Sequence, residues 1–328
     1  MSTEPIVLPA AFALATAVLS ITAAFPAAAQ AYPDKPIRLI VPFAPAGATD
    51  IVARIVGPAL TERLGQQIVV ENRGGAGGNL GTETVVNAPA DGYTLLMVGG
   101  YNAINTTLYE KLNFSFSRDI APISNVVRMP NIMEVNPAFP VASVPEFIAH
   151  AKANPDKINF ASGGTGTVTH VTGELFKMMT DIRMVHLPYR GAGPALIDLL
   201  SGQVQVMFPT LPSSIGYIRG GKLRPLGVTS ASRSEALPEV PSIGEFVPGY
   251  DASDWYGIGA PRQTPTDIVE RLSREINLVL ADPVIKARMA DLGMTVMPSP
   301  TPADFAGFIA GETEKWGKVV KFSGIKVE

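Results

Sequence analysis

The chain has 328 residues, of which 46% are hydrophobic and 17% charged, enough to bury a sizeable core and long enough for two lobes. Its formal net charge of −3, with no basic cluster, argues against a nucleic-acid partner, and the absence of cysteine excludes disulfides, thiolate catalysis and Cys-ligated zinc. Any attraction to anions must therefore be local.

The stretch 6–25 is almost wholly apolar and leads into Ala27-Ala28-Ala29-Gln30-Ala31, whose A-x-A spacing fits signal-peptide cleavage after Ala29 or Ala31. The run approaches membrane-spanning length, but its small-residue end favours cleavage and export. Residues 1–4 carry no Lys or Arg, which departs from the usual signal-peptide start.

Residues 37–41 read as a short buried strand closed by Pro42 and Phe43. A loop of tiny side chains follows, and Thr49 or Asp50 is placed to cap a helix carrying Ile51, Val52, Ile55, Val56 and Leu60 at helical spacing. Such a helix start presents unpaired N–H groups and partial positive charge, a seat for a carboxylate or phosphate. The same composition also serves a plain turn. Further along, strands are expected over 67–72 and 93–98, a Gly-rich loop over 73–81, helices over 82–86 and near 104–109, and strand-like segments over 120–128 and 131–135.

A second alternation starts with a helix over 144–153, with Pro145 in its first turn. The strand 158–161 enters Ser162-Gly163-Gly164-Thr165-Gly166-Thr167, and a helix over 168–179 leaves it, repeating the opening logic. Strands over 184–189, 204–208 and 224–229 alternate with helices up to Leu200 and over 215–219. Prolines then cluster over 238–248, a strand covers 255–261, and three helical stretches finish the chain, among them 266–280 and 303–320. Terminal helices without intervening strands suggest a return to cover the first lobe. The expected fold is α/β with two lobes, each a mostly parallel sheet flanked by helices. Domain 1 would comprise 32–126 plus 250–328 and domain 2 127–249, with hinges near 126–131 and 247–254.

Catalytic and cofactor patterns are sparse. Gly75-x-Gly77-x-x-x-Gly81 lacks dinucleotide spacing, and no P-loop, G-x-S-x-G elbow or H-x-x-x-H pair occurs, so neither cofactor nor metal is expected. Ser162 with His170 offers a hydroxyl and a base without an evident third partner, the alternative reading as a small α/β hydrolase-like enzyme. Several residues carry two readings. His170 either bonds local backbone or meets a ligand, Trp255 either fills the core or lines a cleft, and Arg190 is either solvated or a charge at the cleft mouth. Asp254 either meets an amino group or hydroxyl or faces solvent.

The motifs Tyr32-Pro33-x-Lys35-Pro36-Ile37-Arg38, the Pro42-Phe43 loop ending at Asp50, Glu71-Asn72-Arg73 with Gly75-Ala76-Gly77-Gly78, and Asp91-Gly92-Tyr93-Thr94-Leu95-Leu96 run in order. So do Gly163 to Thr167 with His170, Pro188-Tyr189-Arg190-Gly191, and Trp255-Tyr256-Gly257 with Ala260-Pro261. In these the chain resembles the Bug or TctC-like family, extracytoplasmic solute-binding receptors of tripartite tricarboxylate transporters. The resemblance implies a type II-like periplasmic binding fold that closes over a small carboxylate held between the first loop and the loop 163–167. It also implies a periplasmic location, a membrane permease as partner, and binding without chemistry; a monomer is expected. The family's ligands span di- and tricarboxylates, acidic amino acids and aromatic acids. On this basis the expected ligand contacts in the first lobe are Phe43, Ala46, Gly47, Ala48, Thr49, Asp50 and Asn102. Those in the second are Gly164, Thr165, Gly166, Thr167, His170, Tyr189, Arg190 and Thr210, with Asp254 and Trp255 where the chain re-enters the first lobe. One departure stands out: Ala46-Gly47 replaces the family's usual Gly-Gly, and a methyl there restricts positive φ.

Overall fold

The computed structural model describes residues 1–3, 32–323 and 325, so most of the expected signal peptide and its cleavage sites lie outside the described residues. The strands are β1 (Ile37–Val41), β2 (Ile68–Asn72), β3 (Thr94–Gly99), β4 (Ile120–Pro130), β5 (Ile132–Val135), β6 (Asn159–Ser162), β7 (Val185–Pro188), β8 (Val206–Met207), β9 (Arg224–Val228), β10 (Ser253–Pro261) and β11 (Thr295–Val296). The helices are α1 (Ala48–Leu64), α2 (Asn79–Val86), α3 (Gly100–Leu108), α4 (Phe116–Asp119), α5 (Val144–Ala153), α6 (Val168–Thr180), α7 (Ala192–Leu200), α8 (Leu211–Arg219), α9 (Thr266–Ala281), α10 (Pro283–Asp291) and α11 (Pro302–Ser323).

Two sheets result, ordered β11-β4-β10-β3-β1-β2 and β7-β6-β8-β5-β9. Both are mixed rather than mostly parallel. Strand β1 lies parallel to β2 and β3, whereas β10 runs antiparallel to β3 and β4; β6 lies parallel to β7 and β8, whereas β5 is antiparallel to β8 and β9. The cause is the crossing. β4 continues into β5 through Asn131 alone, with no helix to turn the chain over. The returning chain enters the first sheet as β10 where β4 left it, so it must run the other way.

Asn131 and Thr229 pin the crossing segments. The Asn131 N–H donates to Thr229 Oγ1 (2.8 Å), the Thr229 hydroxyl donates to the carbonyl of Ala252 (2.7 Å), and the Ala252 N–H donates back to Thr229 O (2.9 Å). Residues Pro33–Glu328 hold together as one compact unit.

The core forms where apolar runs meet. Every residue of β3 and β10 is buried, and α11 lays Phe305, Ile309 and Trp316 over the first sheet beside Val98, Ile104 and Trp255. The second sheet packs Phe147, Phe160, Phe176 and Phe208 under α5 and α6. Each such side chain contributes roughly 2 kcal/mol by burial. Register then positions the site. Pairing Val41 with Asn72 brings the Asn72 amide to the first loop, and pairing Tyr256 with Gly99 sets β10 against the start of α3.

Candidate functional site

Strand β1 ends at Pro42, and the loop after it is shaped by one carboxylate. Asp50 Oδ2 accepts the Ala46 N–H (3.1 Å) and Arg54 Nε (2.9 Å), while Oδ1 accepts Asn72 Nδ2 (3.0 Å), whose amide also donates to Phe43 O. Burial works against the charge, but Arg54, Ala46 and Asn72 together hold the Asp50 pKa below its ordinary value. The helix therefore begins earlier than Thr49 or Asp50: Gly47 is its N-cap, with no side-chain cap, and the acid that looked like a cap sits at the third helical position reaching back. Ala46 pays a conformational cost, with φ of 69° in the left-handed region.

The second loop uses neutral groups. Thr167 caps α6, accepting from the His170 N–H while its hydroxyl donates to Gly164 O (2.7 Å). His170 Nδ1 accepts the Gly166 N–H (3.3 Å), and its ring stacks on His186 with centroids 3.9 Å apart. Burial, then the neighbouring His186 and Lys177, push the His170 pKa down to about 2; burial, then Lys177, push His186 down to about 4. Both rings are neutral near pH 7. Ser162 Oγ accepts the Gly164 N–H and shares a 2.6 Å hydrogen bond with His186 Nε2. The serine's base is thus His186, not His170, and Ser162 is fully buried and committed to shaping the loop. That geometry disfavours the hydrolase reading.

The two loops meet. The Ala44 N–H donates to Arg190 O (3.0 Å), and Tyr109 Oη donates to Thr165 O (3.1 Å). A Cβ on Gly77 would stand 2.2 Å from Thr165 O, and one on Gly166 would stand 2.1 Å from Asn105 Oδ1, so side chains there would force the loops apart.

Between the loops lies a cavity of about 40 Å³, room for a carboxylate group or a few waters. First turns of five helices line it: Gly47, Ala48 and Thr49 of α1, Tyr101 of α3, Thr167, Val168 and Thr169 of α6, Ala192 of α7, and Thr210 before α8. Gly47, Gly99, Gly191 and Thr210 make no side-chain cap to their helices; at α3 the returning Asn102 amide instead accepts the Gly99 N–H. Helix N-termini from both sheets thus aim positive potential at one spot. Phe43, Gly163, Tyr256 and Asp254 complete the wall. Among the described residues, this lining holds no Lys, Arg or His, and Asp254 is its one carboxyl group.

Asp254 is 4% exposed. Its Oδ1 accepts the Trp255 N–H (2.8 Å), its Oδ2 accepts the Tyr256 hydroxyl (2.8 Å), and the Gly100 N–H adds a third bond. Burial pushes its pKa up to about 7, against the pull of those donors and with help from Glu312.

Of the expected contacts, Phe43, Gly47, Ala48, Thr49, Thr167, Thr210 and Asp254 line the cavity. The others stand behind it. Ala46, Asp50, Gly164, Gly166 and His170 shape the loops; Thr165 and Arg190 join them by their carbonyls, and the Arg190 side chain is exposed. Asn102 is a structural clamp, its Oδ1 accepting from Gly99 and its Nδ2 donating to Thr82. Tyr189 donates to Asp198 (2.6 Å). Trp255 fills the core, edge-on to Phe305 and Phe308, with Nε1 donating to Glu312. Sequence reasoning placed the loop 163–167 at the site without naming Gly163 as a contact, and it missed Tyr101, Val168, Thr169, Ala192 and Tyr256. The available signal was position: Gly99-Gly100-Tyr101 and Gly191-Ala192 are also small-residue helix starts.

A larger cleft, about 930 Å³, lies behind the crossing between the loop 230–236 and the α9–α10 corner. It gathers the C-terminal end of α9 and mixed charges, Arg128, Arg233 and Lys286 with Asp251 and Glu235, and none of the expected contacts. Size alone does not make it the anion seat.

Two mixed sheets, flanked by helices and joined by paired crossings around a shared cavity, define a periplasmic-binding-protein fold. Solved structures of that kind superpose closely. BugD, a periplasmic binding protein, matches with TM-score 0.87 at 32% identity, covering 90% of this chain and 100% of its own. An R. palustris protein solved with adipate matches with TM-score 0.87 at 34% identity over 90% and 99%. MatC from Rhodopseudomonas palustris, solved with bound malate, matches with TM-score 0.84 at 31% over 88% and 100%. Protein BugT of Bordetella pertussis is 37% identical over 308 residues, 93% of this chain and 94% of that one. The model of the tripartite tricarboxylate transporter family receptor, TctC, matches residues 52–325. The chain belongs to that receptor family.

Proposed function

We propose that this protein is a periplasmic receptor that captures a small carboxylate by lobe closure, without chemistry, and delivers it to the membrane permease of a tripartite tricarboxylate transporter. The observation that carries the reading is the convergence of uncapped helix N-termini from both sheets on one cavity without a cationic side chain. Backbone donors hold an anion there without the desolvation cost of a buried Lys or Arg. The adipate and malate found with two relatives support a small organic acid as solute.

A cavity of about 40 Å³ takes the carboxylate end, so the rest of a solute requires the loops to part. The lobes would be 32–126 plus 250–328 and 127–249, moving about hinges near 126–131 and 247–254, where Asn131, Thr229 and Ala252 interlock. Closed and open forms then differ by the loop-to-loop bonds and by the solute's extra contacts. The family supports a permease as partner, and the amino-terminal sequence supports export.

The test is thermal shift against a panel of small mono-, di- and tricarboxylates. At ligand about one hundredfold above its dissociation constant, stability should rise by about 2.7 kcal/mol. No shift with any acid, together with ester turnover abolished by Ser162→Ala, would replace this reading with the hydrolase one.

A further inference from the structure

The proposed carboxylate seat contains a feature that a plain anion site does not need. Asp254 belongs to β10, and its carboxyl lies against the first turn of α3: a Cβ on Gly100 would stand 2.9 Å from Asp254 Oδ1 and 2.6 Å from Val168 Cγ2 at the start of α6. The acid thus sits where the two sheets' helix starts meet, is more than nine-tenths buried, and lines the cavity. Tyr256, whose hydroxyl donates to it, is itself bonded by the Thr49 side chain from α1, which fixes the orientation from a second element on the same sheet's side.

A solute carboxylate docking on the α1, α6, α7 and α8 starts would come to rest beside this built-in acid. When Asp254 is ionised, its charge and the solute's repel strongly in a closed, water-poor space, and the wall offers no cation to separate them. A solute that brings its own cation resolves the conflict. Its carboxylate takes the helix starts and its ammonium takes Asp254, so that each charge meets its opposite. A hydroxyl donates one hydrogen bond but adds no compensating charge, so it resolves the conflict only in part.

We propose that Asp254 is the specificity-determining residue of this site and selects zwitterionic acids, those bearing an ammonium group beside the carboxylate, over their hydroxy and unsubstituted counterparts. This deepens the carboxylate-receptor reading and rests on it.

The experiment is isothermal titration calorimetry of the purified protein with three sets of near-isosteric probes: L-aspartate, L-malate and succinate; L-glutamate, L-2-hydroxyglutarate and glutarate; L-alanine, L-lactate and propionate. In the set whose chain length fits, the amino acid should bind about tenfold or more tighter than the hydroxy acid, with the unsubstituted acid weakest. Asp254→Asn should erase that order, weakening the amino acid by about tenfold or more while leaving the unsubstituted acid unchanged or tighter. Three results overturn the assignment: unsubstituted acids binding as tightly as amino acids in the wild type, Asp254→Asn weakening all three members alike, or succinate matching aspartate and tightening as pH falls from 8 to 6, which would mean that Asp254 takes a proton instead of a cation. Should Asp254→Asn not fold, the wild-type order within each set decides alone. Binding of acids without amino preference removes only the role of Asp254, whereas no binding by any of the nine, nor by the wider carboxylate panel, removes the receptor reading as well.

Discussion

The loop over 43–50 and the loop over 162–170 share one sequence idea, a short strand running through tiny residues into a helix, yet they are held by opposite chemistry. The first is tied by an ionised carboxylate: Asp50 gathers Ala46, Arg54 and Asn72, and its helix has no side-chain cap. The second is tied by hydroxyls and neutral imidazoles: Thr167 caps its helix, His170 holds Gly166, and Ser162 bridges Gly164 and His186. Small residues at a helix start show that backbone donors are accessible; they do not say what keeps the loop in place. The difference is consequential for a cavity that both loops share. The uncapped α1 leaves its N–H groups free for a solute, whereas α6 has spent part of its donors on Thr167.

The contrast is broken most forcefully at Asp50. Asp50→Asn removes the charge, and whichever way its amide turns an N–H group faces a donor at a buried position, Asn72 Nδ2 on one side or the Ala46 N–H and Arg54 Nε on the other. The expected cost is about 3 kcal/mol, read as a lowered urea midpoint at unchanged slope. A loss under about 0.5 kcal/mol would mean that the first loop holds its shape without the carboxylate.

Acid separates the two anchors by their titration. His186, at about pKa 4 in the fold against the ordinary 6.5, stays neutral there while the unfolded chain takes up its proton. Its contribution is complete above pH 6.5 and lost as pH falls toward 4. Asp50 is shifted downward, so its contribution is complete above the ordinary carboxylate pKa near 4 and disappears only below it. Asp254 and Glu134, raised to about 7 and about 8, change stability in the opposite direction over the same range. They cancel when wild type is compared with His186→Gln. The stability difference between those two proteins should shrink by about 2 kcal/mol from pH 6.5 to 4, a value reduced for the partial exposure of His186. A constant difference would show that His186 is not held neutral by its surroundings. Denaturant midpoints at several pH values supply the measurement.

Much of this architecture was legible along the chain. The apolar runs at β1, β3 and β6, the tiny-residue loops after them and the amphipathic faces of α1, α9 and α11 are local patterns, and local patterns survive folding. What local reading could not supply is register. Tyr256 reaches the cavity because it pairs with Gly99 across β10 and β3, and Tyr101 because α3 starts there, several positions before its apolar spacing becomes evident. Asp50 and His170 were legible as residues of the two loops but not as their anchors, since that depends on partners at Asn72 and Gly166. Trp255 stands next to Asp254, yet the alternation of a strand sends it to the opposite face, into the core with Phe305.

The finest distinction between the loops lies at Ala46. The second loop places glycine at its positive-φ positions, Gly164 at 129° and Gly166 at 82°, whereas the first holds an alanine at 69°. The left-handed conformation costs an L-residue about 1–2 kcal/mol, and replacing alanine by glycine relieves it while adding about 0.5–1 kcal/mol of unfolded-state entropy. The balance for Ala46→Gly is a stabilisation of about 0.5 kcal/mol, roughly a 1–2 °C rise in melting temperature for a chain of this size. Ala46→Val, with a branched side chain at the same φ, should shift melting the other way. If Ala46→Gly instead lowers the melting temperature, the methyl is making a contact worth more than its strain. One candidate is the start of α7, close enough that a Cβ added to Gly193 would lie 3.7 Å from the Ala46 methyl. That result would place Ala46 among the contacts that hold the two loops together, and Ala46→Gly would then loosen the closed form and weaken solute binding along with stability.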